Sequence, residues 1–71
     1  MQKFISINFI YLRNKSYLNR KEFAKKHSIS YGALSSYERS VSLPPIDLIQ
    51  KICKEYKVNI DDFVNKDLSK N

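Results

Sequence analysis

Between positions 4 and 13 the chain carries Phe4, Ile5, Ile7, Phe9, Ile10, Tyr11 and Leu12, a run too long and too irregular for an alternating strand. Ile5, Phe9 and Leu12 stand at i, i+4 and i+7, which is one face of a helix. Phe4, Ile7 and Tyr11, at i, i+3 and i+7, make a second stripe with Ile10 nearby. A helix that is apolar on two faces usually buries both. The second stripe therefore reads either as extra core or as a protein-binding patch built from Phe4, Ile7, Ile10 and Tyr11.

Four shorter segments repeat the helical period. In "LNRKEFAKKHSI", Asn19 fits an N-cap and Glu22, three residues on, can bond back to it, the reciprocal pattern of a capping box. Phe23 and His27 share a face of this second helix, and Ala24 is small enough to let another helix approach. Ser30 suits the start of a third helix, its hydroxyl accepting the N–H of Gly32 or Ala33, while Ile29, Leu34 and Tyr37 supply one narrow apolar face. After a loop come Pro44 and Pro45, whose fixed φ and missing N–H suit a first helical turn, then Ile46, Ile49, Ile52, Cys53 and Tyr56 at helical spacing. Last is "VNIDDFVNK", with Asn59 as cap and Ile60, Phe63 and Val64 as core. Its Asp61 and Asp62 fall in the first turn, where acids are dipole partners far more often than a cation site.

Composition agrees with an all-α chain, since a single glycine and two prolines leave few places for tight hairpins. A chain of 71 residues can form one core that buries ~60% of the unfolded surface. Residues 1–71 thus read as one domain, with a core over about 4–65 and a frayed tail over 66–71. No apolar run approaches the ~18 residues of a spanning helix and no leader pattern opens the chain, which reads as cytoplasmic. The lone Cys53 excludes an internal disulfide and, with one histidine, cannot build a zinc site; it reads as a small buried hydrophobe, and no cofactor is expected.

Where the charge sits adds more than its total of +6. From Arg13 to Arg39 seven basic residues face only Glu22 and Glu38, a local net of +5, whereas from Ser40 onward five lysines balance five acids. An excess confined to one segment suits contact with a polyanion. Catalysis is not expected: His27 has no nucleophile and acid arranged around it and reads as a structural histidine, there is no glycine-rich phosphate loop, and so small a core leaves no deep pocket.

Five short helices, with a basic second and third joined by a short turn, resemble the Cro and phage-repressor type of helix-turn-helix domain, the XRE family. "LNRKEFAKKHSISYGALSSYERS" carries the likeness of helices two and three, and "LPPIDLIQKICKEYKVNIDDF" that of helices four and five, from about Ile5 to Val64 without an insertion. The resemblance implies a compact five-helix, lambda-repressor-like DNA-binding domain whose third helix enters the major groove while helix starts hold phosphates. Carried over by position, it implies base-facing roles for Tyr31, Gly32, Ser35 and Ser36, and phosphate-binding roles for Arg13, Arg20, Lys21, Arg39 and Ser40. Arg20 stands where the family usually has glutamine, and Arg13 and Glu38 match a pair that joins helices one and three in some relatives.

Three departures qualify that picture. Ser28 and Ser40 replace the glycines usual in the turn and after helix three, and a side chain in the left-handed conformation costs on the order of 1 kcal/mol, so the sequence leaves open whether these turns keep the usual geometry or are reshaped. The base-facing set also lacks the Arg, Lys, Gln and Asn side chains that discriminate bases by bidentate contacts. Two functions follow. The first is a small DNA-binding transcriptional regulator of phage or mobile-element origin, with double-stranded DNA as partner and pairing as a homodimer. The alternative is a modulator of repression, or antirepressor, that uses the same fold to hold a repressor protein. Neither involves a membrane or a small-molecule substrate.

Overall fold

Five α-helices and a short closing turn follow one another in the computed structural model, which describes residues 3–70. They are α1 (Lys3–Lys15), α2 (Arg20–Lys26), α3 (Tyr31–Glu38), α4 (Ile46–Tyr56), α5 (Ile60–Asn65) and a 3-10 turn (Leu68–Lys70), with no strand among the described residues. The starts of α2, α3 and α5 are set locally by short polar side chains. Asn19 and Glu22 form both bonds of a capping box, at 2.8 and 2.9 Å. Ser30 Oγ accepts the N–H of Ala33 at 3.1 Å, and Asn59 Oδ1 accepts those of Asp61 and Asp62. Pro45 serves α4 as N-cap rather than within its first turn, because its extended backbone points its carbonyl at the N–H groups of Leu48 and Ile49.

The ends of α1 to α4 share one device. Tyr17, Ser28, Ser40 and Lys57 have φ of 59, 57, 60 and 57°, the left-handed region. The next residue in each case, Leu18, Ile29, Val41 or Val58, donates its N–H to the carbonyl five positions back, on Arg13, Ala24, Ser36 or Cys53. This is the Schellman ending, built here four times without glycine. The question the sequence left open at Ser28 and Ser40 is thereby answered: both residues keep the left-handed geometry. Burial of Leu18, Ile29 and Val58 against the core offsets the strain at three of the four ends. At the remaining one Val41 stays exposed, and Ser40 Oγ instead donates to Ser6 Oγ at 2.8 Å.

Phe9, Leu12, Phe23, Leu34, Ile52 and Phe63 are enclosed at the centre. Phe9 meets Phe63 edge-on at 5.6 Å and Tyr37 at 5.9 Å. Helix α1 packs against α3, α5 and the 3-10 turn, so both of its apolar stripes are covered, the second only partly: Phe4, Ile7, Ile10 and Tyr11 are half-buried. The polar Asn8 in the middle of α1 is completely enclosed. Its Nδ2 donates to the carbonyls of Phe63 and Lys66, both at 2.7 Å, and its Oδ1 accepts the N–H of Leu68 at 2.9 Å. Where a frayed tail was expected after Lys66, residues up to Lys70 are thus tied to α1, with Leu68 packed on the core; Asn71 lies outside the described residues. No helix among the described residues is long and apolar enough to cross a membrane.

Candidate nucleic-acid interface

Helix α3 is divided by side. Leu34 and Glu38 point inward and are buried, and Tyr37 packs on Phe9. Tyr31 and Gly32 on the first turn are exposed, Tyr31 by 56%, and Ser35 and Ser36 one turn later are half-exposed. Positions i, i+1, i+4 and i+5 lie along one side of a helix, so the four candidate base-facing residues share a surface. The space a side chain at Gly32 would fill is open.

The arginines have a structural side that their positions in the chain only half disclosed. The Glu38 side chain is fully enclosed. Arg13 meets it with two nitrogens, Nε to Oε2 at 2.9 Å and Nη2 to Oε1 at 3.2 Å, and Arg20 Nε adds a bond to Oε1 at 3.1 Å. Two guanidiniums on one carboxylate leave a net positive charge at the edge of the fold, and the two arginine side chains remain 16% and 32% exposed. The Arg13–Glu38 pair follows the family resemblance, whereas the link from Arg20 to Glu38 was not foreseen. A wide cleft of about 700 Å³ lies beside this cluster, lined by Arg13, Asn19, Arg20, Lys21 and Tyr31. Lys21 and Arg39 are exposed and form no salt bridge among the described residues. Ser40 is exposed too, with its hydroxyl proton held by Ser6.

The helix-one stripe stands apart from this cluster: Ile7, Ile10 and Tyr11 border a separate cleft of about 290 Å³ with Asn14 and Ser69. A second surface went unread in the sequence. Val41, Leu43 and Ile46 are 64%, 56% and 62% exposed. The signal was available, since residues 40–46 are "SVSLPPI", three aliphatic residues in seven without a charge. Among the described residues no group of acids, histidine and cysteine is placed to hold a metal ion. Cys53 is buried and free, its thiol pKa raised by that burial. His27 is 4% exposed, with Nε2 3.0 Å from the Tyr56 hydroxyl.

A family model described as helix-turn-helix matches residues 10–63, from within α1 to within α5. The chain is 36% identical over 52 residues to repressor protein C of Escherichia phage P2, a match covering 73% of this chain and 52% of that protein. The chain thus spans about half the length of that relative. No solved structure gives a significant match.

Proposed function

The chain belongs to the helix-turn-helix family of XRE type, and on that premise we propose that it regulates transcription by docking α3 in the major groove of an operator, as a product of phage or mobile-element origin. One observation carries the docking: Tyr31, on the exposed side of α3 with Gly32, Ser35 and Ser36, shares a cleft with Arg13 of α1 and with Arg20 and Lys21 of α2, and Arg39 caps the end of α3. In this reading the serine hydroxyls meet polar base edges and the Tyr31 ring packs on a thymine methyl. Lys21 and Arg39, which have no salt bridge to give up among the described residues, supply the main phosphate charges. Arg20 contributes its Nη2, Arg13 adds charge while its nitrogens stay on Glu38 and the Leu18 carbonyl, and Ser40 marks the edge of the contact while its hydroxyl serves the turn.

Two copies would let recognition helices enter successive groove turns. A second reading, a modulator that holds a repressor protein, draws on the exposed Val41, Leu43 and Ile46 and on a base-facing set without bidentate side chains. Selection of duplexes from a random library at near-physiological salt separates the readings. DNA docking yields a defined motif, and Arg39→Ala then weakens binding to all duplexes and reduces the slope of log affinity against log salt by about 1. Binding without an enriched motif favours the protein partner.

A further inference from the structure

Arg20 is the first residue of α2, yet its side chain ends on α3. Its Nε bonds to the enclosed Glu38 carboxylate at 3.1 Å, and its Nη1 lies 3.4 Å from Ser35 Oγ. Arginine has only donors, so Ser35 must be the acceptor in that longer contact. One lone pair of the serine oxygen is then occupied, and its proton is directed away from the guanidinium. That proton has no acceptor among the described residues. Glu38 is also held by Arg13, so the anchor of Arg20 is itself fixed from two sides.

We propose that Arg20 is a positioning residue for base recognition: seated on Glu38, it turns the Ser35 hydroxyl into a donor facing the groove. A serine free to rotate meets donors and acceptors alike. A serine with its proton directed outward favours base edges that present an acceptor, namely purine N7, guanine O6 or thymine O4, over the amino group of cytosine. The proposal rests on the reading of α3 as the helix in the groove. It gives the base-facing set a source of discrimination that its side chains lack one by one.

Lysine at position 20 keeps the charge but loses the planar fork that spans Glu38 and Ser35. The test is duplex selection with the wild-type chain, Arg20→Lys and Ser35→Ala, each first checked for native helix content by circular dichroism. The wild-type motif should contain one position at which cytosine is depleted about five- to tenfold, the discrimination expected of a single hydrogen bond. Both variants should restore cytosine at that same position to within about twofold of the other bases. A wild-type motif that Arg20→Lys reproduces overturns the proposal and leaves DNA reading intact. Should Arg20→Lys not fold, Ser35→Ala decides alone, because it leaves the Arg20 ion pair in place: persistent cytosine depletion in it overturns the proposal. No motif from the wild-type chain removes the DNA reading, and the proposal with it.

Discussion

His27 closes α2 with its ring 4.5 Å from Phe23 and its Nε2 on the Tyr56 hydroxyl, to which Ser16 Oγ is bonded at 3.1 Å. Burial holds its pKa below the ordinary value of 6.5; Lys26 and Lys51 push the same way, and Glu55 opposes them. The unfolded chain therefore takes up a proton that the folded one resists. Stability from this site is complete above pH 6.5 and is lost as pH falls through that value toward the folded pKa. The urea midpoint of the wild-type chain should be lower at pH 5 than at pH 7.5, and His27→Gln should show a smaller drop. An equal drop in the variant would assign the pH dependence to other groups. The structural role of His27 was legible from its spacing to Phe23, but Tyr56 lies 29 positions away and no local pattern names it. Arg20 is the same case: its charge placed it at an interface, and only the packing of α2 on α3 disclosed Glu38 and Ser35 as its partners.

At the scale of elements, what could be read was what is local. The caps at Asn19, Ser30 and Asn59 act over two or three residues, so sequence and structure agree on them. Helix ends were harder, because the glycines that announce a left-handed residue are missing and Tyr17, Ser28, Ser40 and Lys57 take their place. The clue that remains is the apolar residue directly after each: Leu18, Ile29, Val41 and Val58. The docked tail was beyond local reasoning, since Asn8 reaches partners 55 to 60 residues along the chain. If Ser28 carries the strain its φ implies, Ser28→Gly should stabilise the fold by about 0.5–1 kcal/mol after the added entropy of the unfolded chain is subtracted. A calorimetric scan should show Tm rising by roughly 2–6 °C. A fall in Tm would mean that the serine side chain contributes more than its backbone costs.

Across the whole molecule, charge and fold are in register. The basic excess between Arg13 and Arg39 belongs to the segment that forms the end of α1, α2 and α3, while the balanced remainder forms α4, α5 and the closing turn. That division was legible in the sequence because charge requires no knowledge of contacts. The exposed Val41 and Leu43 of the loop and Ile46 at the start of α4 were not, because an apolar residue reads as core until the packing leaves it outside. The proposed docking makes α3 the surface presented to DNA. Its most direct test is a titration of the isotope-labelled chain with a short DNA duplex at near-physiological salt, followed through backbone amide resonances. With α3 on the duplex, the largest shifts fall at Tyr31, Gly32, Ser35 and Ser36, with smaller ones at Lys21 and Arg39; shifts confined to Val41, Leu43 and Ile46, or no shifts at all, would overturn that docking.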